Sequence, residues 1–160
     1  MKALGLIAVA AAPVALALWS VSRGRASIAA SRGLLALVTH CERLIRDHLT
    51  PRDRLLEGFS DPALDACGFT GILRENYRDP ARAFGDPAVC PADSEVFRRT
   101  GSFFSTLGRM DYAAQLEDCA RCREDLTRLI NEKNSAFVSG SRGALILGFA
   151  AGAAGILILI

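Results

Sequence analysis

The sequence predicts an all-α protein: a small antiparallel helical bundle flanked by an N-terminal and a C-terminal transmembrane helix. Three observations predict it. The middle of the chain repeats apolar residues every three or four positions, with no sustained alternation of period two and few β-branched residues. Ala3–Val21 ("ALGLIAVAAAPVALALWSV") and Gly143–Ile160 ("GALILGFAAGAAGILILI") carry no charge. At the rise of an α-helix these runs reach about 28 and 27 Å, close to the thickness of a bilayer core. The expected division is an N-terminal transmembrane anchor at 1–22, a cytoplasmic helical bundle at 23–141 and a C-terminal transmembrane helix at 142–160.

The first run is read as an uncleaved anchor. Lys2 and the triplet Ala15-Leu16-Ala17 partly fit a signal peptide, but apolar residues continue past the triplet to Trp19, an interfacial type. Pro13 kinks such a helix without preventing it from spanning. Arg23, Arg25 and Arg32 follow the first run, and Lys133 and Arg142 precede the second. Basic residues beside membrane ends stay on the cytoplasmic side. The alternative is an extracytoplasmic helical binding module, held by its C-terminal helix after signal-peptide cleavage.

Ser31 is expected to cap a helix whose apolar face is Leu34, Val38, Cys41, Ile45 and His48 or Leu49. Pro51 should end it at Thr50. A short turn with Leu55, Leu56 and Phe59 follows. Asp61-Pro62 has the form of an N-cap and a first helical residue. Leu64, Cys67, Ile72, Leu73 and Tyr77 continue the pattern, weakened by Gly68 and Gly71. Asp79–Pro91, with three prolines and a glycine, is expected to be a loop.

Asp93 should cap a helix with Val96, Phe97, Thr100, Phe104 and Leu107 on one face. The stretch "STLGRMDYAAQ" then stops that helix and starts another. Gly108 follows the last apolar position and suits a left-handed C-terminal cap, and Asp111 suits the next N-cap. So short a connection predicts antiparallel neighbours. The following helix places Tyr112, Leu116, Cys119, Cys122, Leu126, Leu129 or Ile130, and Phe137 inward. Glu117–Arg121 and Glu124–Arg128 are i,i+4 pairs on its solvent side. The helix is expected to break near Gly140.

Chemistry is sparse. Cys119-x-x-Cys122 has no second ligand pair for zinc and no βαβ context for redox work, and both thiols fall on the apolar stripe. Five scattered cysteines suit a reducing compartment. There is no nucleophile elbow, phosphate-cradling loop or HExxH motif, so no catalytic, cofactor-binding or metal residue is assigned and the chain is read as a non-enzyme. All 17 acidic residues and 18 of the 19 basic ones lie in Ser22–Arg142, leaving that stretch at +1, with no electrostatic case for nucleic acid. Gly148-x-x-x-Gly152 permits a homo-oligomer through the C-terminal helix, although a Gly/Ala-rich helix gives that match by composition alone.

One segment, "FRRTGSFFSTLGRMDYAAQLEDCARCREDLTRLINEKNSAF", leads directly into the last apolar run and resembles the stage III sporulation protein AB family. Phe103, Leu107, Gly108, Asp111 and Gln115 match that family's F-x-x-x-L-G-x-x-D-x-x-x-Q pattern, and "LLALVTHCERLIRDHLTPRDRL" is similar more loosely. The region 61–92 departs most. The resemblance implies a scaffold of the sporulation channel complex between mother cell and forespore, in the mother-cell membrane around the forespore. Its soluble part would be similar to the type II secretion inner-membrane platform domain. Implied partners are other channel-complex membrane proteins, membrane lipid and a cytoplasmic secretion-type ATPase. The five motif residues are candidate partner contacts. Periodicity requires no glutamine at 115, so Gln115 either bonds back to the turn or faces a partner, and the turn is the expectation.

Overall fold

A computed structural model describes residues 2–48 and 54–159, with side chains left undescribed over 1–11, 151–160 and at a few positions near either gap or the last run. Among the described residues every regular element is helical. Five α-helices follow in order: α1 (Lys2–His48), α2 (Pro62–Ala66), α3 (Phe69–Glu75), α4 (Ser94–Thr106) and α5 (Tyr112–Leu159). Two 3₁₀ turns, Pro80–Phe84 and Pro87–Val89, lie between α3 and α4. The chain divides into two compact units, Ala26–Glu132 and a second made of Met1–Arg25 with Lys133–Ile160. The long helices α1 and α5 contribute to both.

In the unit 26–132, α4 and α5 form the expected antiparallel hairpin. Thr106 Oγ1 donates to Asp118 Oδ2 at 3.1 Å, and Arg99 Nε pairs with Asp125 at 3.1 Å. Both pairs straddle Tyr112 symmetrically, as antiparallel neighbours require. α1 is likewise antiparallel to α5: Arg46 meets Tyr112 near one end, and Glu42 meets Arg123 further along. The core is built from the stripe Leu34, Leu37, Val38 and Cys41 of α1, the aromatic face of α4, and Cys119, Cys122 and Leu126 of α5.

Several elements differ from expectation. No helix begins at Ser31. α1 runs through it, and the buried Ser31 Oγ accepts the Asp93 N–H at 3.0 Å, tying α1 to the cap of α4. Pro13 lies inside α1 and does not end it. The expected end at Thr50 and the placement of Leu49 and Pro51 fall outside the described residues, as does the side chain of His48. At Gly68 φ is +79°, which splits one expected helix into α2 and α3, since a left-handed residue cannot continue a right-handed helix. Phe69 is then fully buried, whereas Tyr77 is exposed.

The proline-rich stretch is more ordered than a loop. It folds as two 3₁₀ turns that bury Pro80 and Ala83 and wedge Phe84 among other rings. Phe84 lies 5.2 Å from Phe69, 5.0 Å from Phe97 and 5.4 Å from Phe104, centroid to centroid. Asp61 caps α2 through Ala63 N–H and Leu64 N–H, and Asp93 caps α4 through Glu95 N–H and Val96 N–H, both as expected. Gly33 allows α2 to seat against α1, because a Cβ there would stand 2.5 Å from the Asp61 carboxylate.

α5 does not break at Gly140. Tyr112 is exposed, its hydroxyl donating to the Arg46 carbonyl, because the first turn of α5 is already held by its cap. Glu117–Arg121 forms at 3.5 Å, but Arg128 turns to Glu132 and Asp125 and not to Glu124. In the second unit, Ala17 and Val21 are buried and Gly24 lies directly beneath the Phe137 ring. Leu16, Leu18, Trp19, Ile146 and Leu147 are exposed there, and Arg23 sits over the Trp19 ring at 5.4 Å. Among the described residues no helix is long and apolar enough to cross a membrane. Much of both apolar runs, and both glycines of Gly148-x-x-x-Gly152, lie where side chains are undescribed.

Candidate functional site

The five motif residues gather at the α4–α5 turn. Leu107 N–H donates to the Phe103 carbonyl at 3.0 Å and closes α4. Gly108 follows with φ +78°, the left-handed conformation that a Cβ disfavours. Its N–H, left over by the helix end, donates to Gln115 Oε1 at 2.8 Å. Asp111 Oδ1 accepts the Ala114 N–H at 2.8 Å, and the Asp111 carbonyl accepts the Gln115 N–H at 2.9 Å. A glutamine at 115 thus has a local reason: from the first turn of α5 its amide reaches back over the left-handed glycine.

Phe103 and Leu107 are buried in the core, and Gln115 is buried as well. Gly108 and Asp111 are exposed. The motif therefore builds the turn, and the surface it offers consists of the 108–111 backbone, Arg109 and Met110. Gly108→Val is expected to cost about 2 kcal/mol, because a β-branched side chain is forced into the left-handed region and disturbs the bond to Gln115. Asp111→Ala is expected to cost about 1 kcal/mol, the worth of one cap. Denaturant midpoints of the two variants give the order, and a milder Gly108→Val would refute it.

Below the turn lies a cluster of thiols. Cys41, Cys119 and Cys122 are fully buried and unpaired by disulfides. Burial raises all three thiol pKa values. The neighbouring Cys119 adds to the rise at Cys41. Cys119 is pushed to about 11, with the Glu42 and Asp118 carboxylates adding to burial and the Gln115 amide opposing them. Cys122 is pushed to about 12 by burial, against the pull of Arg99. Thiols this hard to ionise are poor nucleophiles and poor metal ligands at neutral pH. Cys90, packed near Cys67, is likewise raised by burial to about 11. Among the described residues no group of three or more His, Cys, Asp and Glu side chains is arranged to hold a metal ion.

The buried charge of this region is Glu42, a residue that sequence reasoning missed. Its carboxylate is 4% exposed, bonded by Arg46 within α1 and reached by Arg123 from α5 at 3.3 Å. The i,i+4 spacing of Glu42 and Arg46 was a legible signal, but the partner from α5 was not. On the opposite side of α1, His40 Nδ1 accepts from Arg43 at 3.3 Å, which leaves the proton on Nε2 in the neutral ring. Burial first, then Arg43, lowers the His40 pKa, so the ring is neutral at pH 7.

The arrangement offers two interlocked helices, a turn held through Gln115 Oε1 while the buried Nε2 has no hydrogen-bond partner among the described residues, buried thiols that resist ionisation and a charged residue tied across the bundle. No protein-family model, no curated protein and no solved structure matches this chain.

Proposed function

We propose that this chain is a non-enzymatic membrane platform: two transmembrane helices hold a cytoplasmic helical bundle that docks a secretion-type ATPase in a sporulation channel complex of the mother-cell membrane. The observation that carries the membrane half of this reading is the exposed apolar surface of the second unit. Leu16, Leu18, Trp19, Ile146 and Leu147 are each more than half exposed, and large apolar residues exposed in this number favour lipid over water. Trp19 with Arg23 over its ring has the amphipathic character of an interfacial anchor. Counted over the full sequence, the runs 3–21 and 143–160 have the length and lack of charge that a span needs. The ATPase half rests on the resemblance at Phe103–Gln115 and on a bundle whose motif serves a turn instead of a reaction.

Topology tests it first. Cys90 is buried, so the probe belongs at exposed Ala88. A single Ala88→Cys variant in a Cys67→Ser background should resist a membrane-impermeant thiol reagent in intact cells and react after permeabilisation. Labelling from outside, or a mature N-terminus near Leu18, would support the extracytoplasmic module instead. The partner is tested by co-purification with the secretion-type ATPase of the same cell.

A further inference from the structure

We propose that the groove between α1 and the 58–60 turn docks an acidic amphipathic helix of a partner protein, with its carboxylates on Arg32 and Arg43 and an apolar side chain between them. The groove holds about 550 Å³. Its α1 wall is Arg32, Leu35, Ala36, Thr39, His40 and Arg43, positions i, i+3, i+4, i+7, i+8 and i+11 of one helix face. At 100° per residue this face lies opposite the buried stripe of Leu34, Leu37, Val38 and Cys41, so bundle packing leaves it open. Leu35, Ala36 and Phe59 make an apolar floor, and among the described residues no carboxylate lines the groove.

The two arginines are what the groove leaves unmatched. Arg46, Arg82, Arg99, Arg121, Arg123 and Arg128 each pair with a carboxylate. Among the described residues Arg32 has no such partner, and Arg43 donates to the neutral His40 ring. The groove hydroxyls are already used: Thr39 donates to the Leu35 carbonyl and Ser60 to Asp65. Eleven residues of helix separate the arginines by about 16 Å. One phosphate cannot bridge that distance. Two carboxylates eleven residues apart on a second helix can, and the positions between them place apolar side chains over Leu35 and Phe59. A second copy of this chain does not supply that pattern. None of its helices carries acids eleven apart, and Glu117, Asp125 and Glu132 of α5 are already paired.

This surface goes beyond the platform reading, since it specifies the chemistry of a partner and not its identity. The test uses the full chain in zwitterionic nanodiscs and a fluorescent alanine-based helical peptide with two glutamates eleven positions apart and leucines between. Wild type should bind it in a salt-sensitive way. Arg32→Glu or Arg43→Glu should weaken binding at least about tenfold, as loss of a complementary charge pair does. The double reversal should recover affinity for a peptide bearing lysines in place of the glutamates, which also shows that the variant is folded. Absence of binding, equal affinity in the variants, or equal binding of the lysine peptide by wild type would overturn the proposal. So would loss of the peptide to anionic vesicles that occupy the same arginines, or to self-association of the chain. A bound peptide with a failed ATPase co-purification would sink only the platform reading.

Discussion

Changing either Cys119 or Cys122 to Asp should unfold the bundle. Both positions are fully buried on one stripe of α5, and pattern alone treats them alike. Their electrostatic surroundings agree. Cys119 faces the Glu42 and Asp118 carboxylates, and Cys122 faces Asp118 and Asp125, with Arg99 as the one opposing charge. An uncompensated buried charge costs about 3–5 kcal/mol, a large part of the 5–15 kcal/mol that ordinarily stabilises a domain. At position 122 Arg99 does not outweigh burial and the Asp118 and Asp125 carboxylates. The neutral replacement of both thiols by alanine should cost only about 1–2 kcal/mol through lost burial. Denaturant unfolding of the full chain in detergent, followed by circular dichroism, gives the ranking. Equal tolerance of Asp at both sites would mean that the stripe faces solvent.

Phe69→Ala should be the most damaging of the simple truncations, at about 3–5 kcal/mol. Phe69 is fully buried and contacts the Phe84 and Phe97 rings at centroid distances of 5.2 and 5.6 Å. Its removal leaves a ring-sized cavity under the two 3₁₀ turns, and these short elements have little hydrogen bonding of their own to hold them. The loss should therefore be spread: Pro80–Val89 should lose protection in hydrogen exchange while the α4–α5 hairpin keeps most of its own. A cost below about 1 kcal/mol would show that the site collapses freely.

How much of this could be read from residues alone depends on the range of the interactions. The turn at Gly108 and Asp111 was legible because each residue acts on backbone groups within a few positions. The stripe of Leu34, Val38 and Cys41 was legible because its periodicity reports burial directly. Ser31 misled because a serine before an apolar run has the form of a cap, while its real partner is an N–H 62 residues away. Glu42 and Phe69 were missed for the same reason: one is buried by an arginine from α5, the other by rings contributed from the 3₁₀ segment and α4. Local composition over 79–91 signalled a loop, and the order there comes from Phe84, whose neighbours are distant in sequence. At the turn, the role of Gln115 was anticipated in direction, but its acceptor role toward Gly108 needed coordinates.

The thiols also give the fold an internal clock. Cys41, Cys119 and Cys122 sit in its centre with raised pKa values, so they are both hidden and un-ionised. A thiol reagent reaches them only in molecules that have opened. Cys67, half-buried at the end of α2, is shielded far less. Alkylation of these four thiols should consequently proceed in two stages. The early one times local fraying around α2, and the late one, involving three cysteines together, times whole-bundle opening without any added label.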